Sequence, residues 1–378
     1  MSRFLFVVPP LVGHINPAIG VAEELGRRQH EVAWAADADL LRTLLPPGAD
    51  IWPCPAPDPP ERPPGLRGFA ALKFLWEQIL VPLAETMTPA VTQAVSEFRP
   101  DALVVDQQAI AGALVAERLG LPWATSATTS SELVDPLAAM PKVKQWLAEM
   151  LDGVRQRAGD PRATTDLRFS PQLVLAFTTR AMVGSDAQVS GEVCFVGPMR
   201  RAVPGDAEVP ASSGPIVFVS LGTVNADTGR RFLTACVDAL RARPQLRAVV
   251  VAPDGGLDEG PGNVLVRPHV SQVAVLAQAS AVVCHGGHNT VCEALSFGLP
   301  LVLAPIRDDQ PIIADQVVRA GAGIRLRFDR ADAGQIGDAI DAVLGQPAYA
   351  AGAARIQESF RAAGGAQEAA DRLEKLAG

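Results

Sequence analysis

The chain has 378 residues, of which 48% are hydrophobic and 20% charged, and this composition excludes an intrinsically disordered protein. Its formal net charge of −8 argues against nucleic acid as the main partner, because phosphate binding requires a basic face. A chain of this length is expected to hold two domains, each with its own hydrophobic core.

The N-terminus and the cysteines indicate where the protein resides. Residues 4–8 are apolar, but Pro9 and Pro10 follow at once, so the run is too short for a signal peptide. No apolar segment approaches the length of a membrane span. Five scattered cysteines without a CxxC pair are typical of reduced core residues. We therefore expect a cytoplasmic protein with no membrane span; its oligomeric state stays open, a homodimer included.

The predicted elements alternate between strands and helices in both halves of the chain. In the first half we predict strands at 4–8, 31–35, 103–106 and 122–126, and helices at 17–28, 68–98 (interrupted at Pro82 or Pro89) and 110–119. In the second half we predict strands at 216–221, 248–251, 264–266, 281–284, 301–304 and 324–328. This alternation predicts an α/β fold with right-handed βαβ units and mostly parallel sheets.

A segment without periodicity separates the two halves. Residues 200–215 combine proline, glycine, serine and charged residues, which is typical of a surface linker. We therefore predict an N-terminal domain at 1–198, a linker at 199–214 and a C-terminal domain at 215–350. Residues 351–378 are predicted to be helical with a polar face.

His14 and Asp106 are candidates for a base and its orienting group. His14 follows the first predicted strand, and Pro17 suits the first turn of a helix, whose N-terminus disfavours a cationic imidazole. Asp106 ends another strand of the same sheet, so it should emerge near His14 and accept a ring N–H. Taken alone, these residues favour a capping histidine and an aspartate that bonds the backbone. His30, between a helix and a strand, is expected to be exposed.

The segment 280–298 has the features of an anion site. A predicted buried strand ends at His285, two glycines follow, and Asn289 or Thr290 can cap a helix that reaches about residue 297. Glycines let backbone N–H groups approach an anion, and the helix N-terminus adds a favourable dipole. Glu293 lies within the helix, where it can accept hydroxyl protons. The arrangement suits a nucleotide diphosphate with Glu293 on its ribose.

The residues downstream make this segment specific. The strand at 301–304 delivers Asp309 and Gln310 to the carboxyl edge of the sheet, where open α/β folds bind ligands. The stretch from Arg267 to Gln316 resembles the donor-binding signature of family 1 glycosyltransferases, the UDP-glycosyltransferase superfamily. It is most similar to that of bacterial antibiotic, macrolide and carotenoid glycosyltransferases. A strand–glycine–helix connection alone is common in α/β proteins. Here several positions match the family signature in the same order, which makes the resemblance more specific.

The resemblance implies an architecture and a donor site. The architecture is GT-B, in which two Rossmann-like α/β domains with parallel sheets face each other across a cleft, and the last helix, here within 351–378, crosses back to the first domain. His285 would contact the α-phosphate, and Gly287 with the helix start would surround the β-phosphate of a UDP- or TDP-sugar. The implied donor-binding residues are Gly222, Thr223, His269, Val270, Gln272, His285, Gly287, Asn289, Thr290, Glu293, Asp309 and Gln310.

Individual positions refine this implied donor site. The turn at 220–223 looks like a second phosphate loop, and Gln272 would contact base or ribose. His269 stands where the family often has an aromatic residue that stacks on the base, and imidazole stacks less well than indole. Asp309 and Gln310 match the pair that holds sugar hydroxyls, which favours a fully hydroxylated hexose such as glucose over a deoxysugar.

The resemblance also implies the chemistry. His14 and Asp106 resemble the His–Asp dyad of the family, with His14 as general base toward an acceptor hydroxyl. No Asp-x-Asp motif lies at a strand end of the predicted C-terminal domain, so we expect His285, backbone N–H groups and the helix dipole to neutralise the departing diphosphate. We therefore predict an inverting hexosyltransferase that acts by single displacement and needs no metal or cofactor besides its nucleotide-sugar co-substrate.

The acceptor is expected to be a hydrophobic small-molecule natural product bound by loops of the first domain. Those loops lie at 53–64, 74–87 and 124–146, although apolar residues at helical spacing are more often core. His288 is expected to face solvent or the acceptor. The predicted acceptor-binding residues are Phe74, Trp76, Met87, Thr125, Leu133 and Met140.

Two other functions of the same architecture remain open. An NDP-sugar epimerase or hydrolase acts on the donor itself and would not need a dyad that faces an acceptor. A non-catalytic sugar-nucleotide-binding auxiliary protein would be expected to lack His14 or Asp106, and both are present. A nicotinamide-dependent dehydrogenase is disfavoured, because no G-x-G-x-x-G follows a predicted strand.

Overall fold

A computed structural model describes residues 1–58, 60–63, 65–184, 191–199, 207–211, 213–222, 226–253, 255, 257 and 262–378, with side chains omitted at 226–228. The chain divides into two compact units. The first consists of Met1–Thr179, Asp186–Met199 and Ala363–Gly378, and the second of Arg180–Ser185 and Arg200–Ala362. Much of the predicted linker, at 200–206 and 212, lies outside the described residues.

The first unit contains a seven-stranded parallel sheet in the order β3-β2-β1-β4-β5-β6-β7. Its strands are β1 (Arg3–Val7), β2 (Glu31–Ala36), β3 (Asp50–Pro53), β4 (Ala102–Asp106), β5 (Trp123–Ala127), β6 (Leu173–Ala176) and β7 (Val193–Phe195). β4 and β5 are buried at every position, as expected for central strands covered on both faces. The four strands predicted in this half are confirmed; β3, β6 and β7 were not predicted.

The helices of the first unit differ from the predictions at two prolines. They are α1 (Val12–Arg27), α2 (Ala38–Leu44), α3 (Gly68–Phe74), α4 (Val81–Phe98), α5 (Ala111–Leu119) and α6 (Pro141–Ala158). α1 begins at Val12 and contains Pro17 in its interior, so the predicted start at residue 17 is wrong. The predicted break at Pro82 or Pro89 is also wrong. A π-helical turn, Leu75–Leu80, joins α3 to α4, and Pro82 occupies the first turn of α4, where a missing N–H is tolerated.

The second unit contains a six-stranded parallel sheet in the order β10-β9-β8-β11-β12-β13. Its strands are β8 (Ile216–Ser220), β9 (Arg247–Val251), β10 (Val264–Arg267), β11 (Ala281–Cys284), β12 (Leu301–Leu303) and β13 (Gly323–Arg325). Its helices are α7 (Arg180–Val183), α8 (Ala226–Arg241), α9 (Gln272–Leu276), α10 (His288–Ser296), α11 (Gln310–Arg319), α12 (Ala333–Gly345) and α13 (Pro347–Ala362). All six strands predicted for this half are present, although β13 ends earlier than predicted.

The end of the chain forms two helices rather than one. α13 belongs to the second unit, and after a turn at Gly364, whose φ is 83°, the last helix α14 (Gly365–Ala377) belongs to the first. Apolar residues of α14, Leu373 among them, join the core cluster that contains Phe4 and Phe6. A helix packed there stabilises the first unit by removing apolar surface from water.

Polar contacts also hold α14 to the start of the chain. Arg28 lies 2.5 Å from a carboxylate oxygen of Asp371, and His30 Nε2 lies 2.9 Å from Glu374 Oε1. The amide of Ser2 donates to His30 Nδ1 at 3.0 Å. The His30 side chain is only 9% exposed, so the expectation of an exposed connector residue is wrong. The burial of His30 depends on a helix from the far end of the chain.

The cysteines and the lengths of the helices bear on two further predictions. The five cysteines are buried and none forms a disulfide, which confirms their role as reduced core residues. Among the described residues, no helix combines the length and the apolar character needed to cross a membrane.

Candidate active site

The first candidate site lies at the carboxyl edge of the first unit's sheet. His14 is in the first turn of α1, directly after β1, and Asp106 is the last residue of β4. Since β1 and β4 are adjacent and parallel, with Val7 opposite Val105, both residues emerge at the same edge. His14 Nδ1 lies 3.0 and 3.1 Å from the two carboxylate oxygens of Asp106. The structure therefore brings together the two residues that the sequence predicted as a pair.

The exposure of these two side chains suits an oriented base. Asp106 is fully buried, whereas the His14 side chain is 17% exposed. A carboxylate accepts hydrogen bonds only, so Nδ1 of His14 carries the ring proton and Nε2 carries the lone pair. The amide of Gln108 also donates to Asp106 Oδ1 at 2.8 Å. His14 can therefore take up a proton at Nε2 while Asp106 faces the resulting cation.

A third side chain, Thr128, joins this pair and was missed by sequence reasoning. Thr128 directly follows β5, the neighbour of β4, and is buried. Its Oγ1 lies 2.7 Å from His14 Nδ1 and 2.8 Å from Asp106 Oδ2. The signal that could have revealed it is the hydroxyl at the end of the predicted strand beside that of Asp106.

The second candidate site lies at the carboxyl edge of the second unit's sheet. β11 ends at Cys284, His285 follows, and Gly286 has a φ of 84° that favours glycine. α10 begins at His288 with Gly287 as its N-cap residue and no side-chain capping bond. The expectation that Asn289 or Thr290 caps this helix is therefore wrong. A glycine N-cap brings the backbone itself to the place where an anion would bind.

His285 is enclosed by two glycines. A Cβ atom added to Gly287 would lie 2.4 Å from His285 Nε2, and one added to Gly222 would lie 3.0 Å from Cε1. Burial lowers the pKa of His285 to about 4, so the ring is neutral at physiological pH. A neutral imidazole keeps one N–H that can donate to a phosphate oxygen. Gly222 thus lies where the sequence placed it, whereas Thr223 lies outside the described residues.

Glu293 and Gln272, two predicted donor-binding residues, contact each other. Gln272 begins α9, and its Nε2 donates to Glu293 Oε2. Burial raises the pKa of the Glu293 carboxyl, and the bond from Gln272 opposes this shift. The amide therefore orients the carboxylate and helps keep it charged. His269 is exposed and Val270 half-buried in the turn between β10 and α9.

The loop after β12 packs beside the loop after β11. Gln310 is buried, and its Oε1 accepts the amides of Ile306 at 2.9 Å and Arg307 at 3.1 Å. A Cβ atom on Gly286 would lie 3.2 Å from the backbone oxygen of Gln310. Asp309 stands at the N-cap position of α11 without a side-chain capping bond. The side-chain oxygen of Gln310 therefore accepts hydrogen bonds within its own loop. The side-chain nitrogen is the group that suits donation to a sugar hydroxyl.

His288 does not face solvent as expected. It is buried as the first residue of α10, and its Nε2 lies 3.5 Å from Cys292 Sγ, one helical turn later. The expectation was wrong because the helix begins earlier than the sequence suggested, which turns this side chain inward.

The predicted acceptor residues do not form one surface. Trp76 and Met87 belong to the core of the first unit, Thr125 and Leu133 are fully buried, and Phe74 is half-buried. Met140 is 44% exposed. Their burial shows that helical spacing of apolar residues produced core packing, as it does in most helices.

A cavity of about 740 Å³ lies in the first unit near two of these residues. None of the six predicted acceptor residues, all of which the structure describes, lines it. Its walls include Glu132 and Val134 on either side of Leu133, the apolar Leu151 and the exposed Ala148. The volume falls within the range of about 300–1,000 Å³ typical of small-molecule sites.

In the part of the chain that the structure describes, no group of three or more histidine, cysteine, aspartate or glutamate residues is arranged to hold a metal ion.

Comparisons with known proteins agree with the donor-side signature. Residues 248–376 match the family model for the C-terminal domain of erythromycin biosynthesis protein CIII-like proteins. The chain is 29% identical to 4'-demethylrebeccamycin synthase of Lentzea aerocolonigenes, over 99% of each chain.

Solved structures agree as well. The glycotransferase of kitacinnamycin is similar with a TM-score of 0.82 and 27% identity, covering 99% of this chain and 98% of that one. Spinosyn rhamnosyltransferase SpnG complexed with thymidine diphosphate is similar with a TM-score of 0.77 and 25% identity, covering 99% and 100%. Two parallel α/β sheets, the donor signature and these likenesses together show that the chain is a glycosyltransferase with the GT-B fold, similar in its donor segment to the enzymes of family 1, the UDP-glycosyltransferase superfamily.

Proposed function

We propose that this glycosyltransferase transfers a hexose from a UDP- or TDP-sugar to a hydroxyl of a hydrophobic natural product, with inversion at the sugar carbon. His14 acts as general base and Asp106 orients it. The observation that supports this most directly is the pair of contacts, 3.0 and 3.1 Å, between His14 Nδ1 and the Asp106 carboxylate.

The transfer is a single displacement. His14 Nε2 takes the proton of the acceptor hydroxyl as that oxygen forms a bond to the anomeric carbon. The bond from this carbon to the diphosphate breaks, and its electron pair leaves with the nucleotide. Asp106 stabilises the imidazolium that results. The reaction requires that the donor in the second unit be presented to His14 of the first, so the cleft implied by the GT-B architecture is part of the proposal.

The second unit supplies the charge partners for the departing diphosphate. The neutral His285 donates its N–H, and the N-terminus of α10 offers backbone N–H groups with the positive end of the helix dipole. Glu293, oriented by Gln272, accepts from the ribose hydroxyls. These groups support transfer without a metal. Because the similar spinosyn rhamnosyltransferase structure contains thymidine diphosphate, TDP-sugars are candidate donors as well as UDP-sugars.

The cavity of about 740 Å³ in the first unit is the proposed site for the acceptor, and its lining combines apolar residues such as Leu151 with charged ones such as Asp135 and Arg168. Its lining begins at Glu132, in the 3₁₀ turn Ser131–Leu133 that follows Thr128. Ala148→Trp would fill it from an exposed position, while Ala139→Trp, also exposed but outside the cavity, serves as control. We expect the first change alone to raise KM for the acceptor; equal KM values in both variants would remove the cavity from the proposal.

The dyad also supports transfer over the two alternatives. An epimerase or hydrolase of this architecture acts on the donor itself and would not need a dyad that faces an acceptor. An auxiliary binding protein would not need to retain the buried Asp106 beside His14.

One experiment tests the proposal as a whole. The protein is incubated with UDP-glucose or TDP-glucose and a panel of phenolic, macrolide and terpenoid alcohols, with and without EDTA, and products are identified by mass. A hexose added to an acceptor, at the same rate with EDTA, is expected. Donor hydrolysis or epimerisation without any acceptor product would favour the first alternative, and no turnover despite nucleotide binding would favour the second.

A further inference from the structure

We infer that Thr128 is a positioning residue for the base, and this inference rests on the proposed role of His14. The Thr128 hydroxyl lies 2.7 Å from His14 Nδ1 and 2.8 Å from Asp106 Oδ2, so it contacts both members of the dyad. These three residues come from the first turn of α1, the end of β4 and the loop after β5. The catalytic unit is therefore a triangle rather than a pair.

The direction of each hydrogen bond follows from the carboxylate. Asp106 only accepts, so the Thr128 hydroxyl donates to Oδ2, and the Nδ1–H of His14 is shared between the carboxylate and the Thr128 oxygen. In the opposite tautomer the Nδ1 lone pair would face two carboxylate oxygens at 3.0 and 3.1 Å, which is electrostatically unfavourable. Asp106 therefore keeps the proton on Nδ1 and the lone pair on Nε2, and Thr128 ties the carboxylate and the Nδ1–H together in one hydrogen-bonded group.

Thr128 also restricts the movement of both partners. It is buried, and the amide of the next residue, Thr129, lies 3.4 Å from the side-chain oxygen of Gln107, directly after Asp106. The Thr128 hydroxyl therefore comes from backbone that is tied to the same strand end as the carboxylate. Removing it leaves His14 and Asp106 in contact but frees the ring to rotate. Since a misplacement of about 1 Å can cost about 100-fold in rate, such freedom should be visible in kcat.

The test compares Thr128→Val, which keeps the side-chain shape and removes the hydroxyl, with Thr128→Ser, which keeps the hydroxyl. Thr129→Val, at the adjacent buried threonine, is the control for disturbance of this loop. We expect Thr128→Val to lower kcat about 10- to 100-fold with KM for donor and acceptor nearly unchanged. Thr128→Ser should restore most of kcat, and Thr129→Val should leave it near that of the parent. Thr128→Ala replaces Thr128→Val if the latter does not fold.

A second readout separates positioning from general stability. Nitrogen NMR of the ring shows which nitrogen carries the proton, and a chain with five histidines allows His14 to be assigned by comparison with His14→Ala. The parent should show His14 protonated at Nδ1. Thr128→Val should keep this tautomer, because Asp106 still accepts, but its Nδ1–H should exchange faster with water once the hydroxyl that shares this proton is gone. Unchanged proton exchange together with unchanged kcat would overturn the inference, as would a serine variant as slow as the valine variant. If His14→Ala itself retained full transfer, the proposed function would fail instead, whatever Thr128 does.

Discussion

Two histidines, one in each unit, lie in the segments that follow a buried strand at the carboxyl edge of a sheet, yet their surroundings favour different chemistry. His14 is partly exposed and faces a buried carboxylate. His285 is enclosed by glycine backbone, and burial lowers its pKa to about 4. A carboxylate beside the first ring suits the proposed role of a base. Burial keeps the second ring neutral, with one donor and one acceptor nitrogen, so the environment of each imidazole favours a different role.

The two sites also differ in how they are built. The base site joins side chains far apart in sequence: His14 and Asp106 are 92 residues apart, and His14 and Thr128 are 114 apart. The proposed anion site, in contrast, is one contiguous segment, β11 through α10, which offers glycines and backbone N–H groups. A site built from side chains should lose activity when one functional group is removed. A site built from backbone should lose ligand affinity when a single Cβ atom is added.

The largest expected effect is at the base. His14→Ala should lower transfer by about 10³-fold or more, because no other group takes the acceptor proton. Binding of UDP, measured by calorimetry, should stay within about twofold of the parent, since the second unit is untouched. Unchanged turnover would remove His14 as base and break the contrast between the two histidines.

The next effect is at the donor backbone. Gly287→Ala places a Cβ atom 2.4 Å from His285 Nε2, although the φ of −65° at this position permits alanine. UDP affinity should fall by about 10- to 100-fold because His285 must move. Gly262→Ala, where a Cβ atom meets no atom within 4 Å, is the matched control in the same unit. Equal affinity in the two variants would contradict a tight enclosure of His285.

A smaller effect is expected at the ribose contact. Glu293→Ala should weaken UDP binding by about tenfold, the value of one hydrogen bond to a charged group. Because burial raises the pKa of Glu293, parent binding should also decline at a higher pH than an ordinary carboxylate would produce, and the variant should lack this dependence. Glu358→Ala, at a largely exposed glutamate of the same unit, is the control. UDP affinities that match in the two variants would refute the ribose assignment.

The last effect concerns stability rather than binding. Burial lowers the pKa of His285 from its usual 6.5 to about 4 in the folded protein. Between these values the unfolded chain binds a proton that the folded chain does not, so the free energy of unfolding should fall as pH decreases through this window. His285→Asn should show a shallower decline when urea midpoints are measured at pH 7, 5.5 and 4.5. Identical slopes would mean that His285 is not held neutral by burial.

Much of both sites was predictable for reasons that the structure makes clear. β11 was predicted to the residue, because a short apolar run that ends at a histidine followed by two glycines indicates where the strand stops. His14 and Asp106 could be paired because carboxyl ends of parallel strands meet at one edge. Thr128 was not predicted, because its role depends on β5 lying beside β4 and on side-chain directions that no local pattern reports.

The errors have a common origin in packing between distant segments. His30 is covered by α14. His288 points inward because it is the first residue of α10, with Gly287 as the N-cap residue. Trp76 and Met87, which were predicted to bind the acceptor, pack in the hydrophobic core of the first unit. Each of these positions has a side chain whose burial is decided by partners that the neighbouring sequence does not contain.

By itself the sequence determined ten of the thirteen strands that the structure describes, the parallel sheets, the glycine-containing loop after β11 and the residue types at both strand edges, since these depend on local periodicity and backbone freedom. The tertiary structure decided which side chains meet: Thr128 with the dyad, Gln272 with Glu293, and His285 with the glycines that exclude water from it. Hydrogen-bond geometry and desolvation act over a few ångströms in space, and distance along the chain does not determine them.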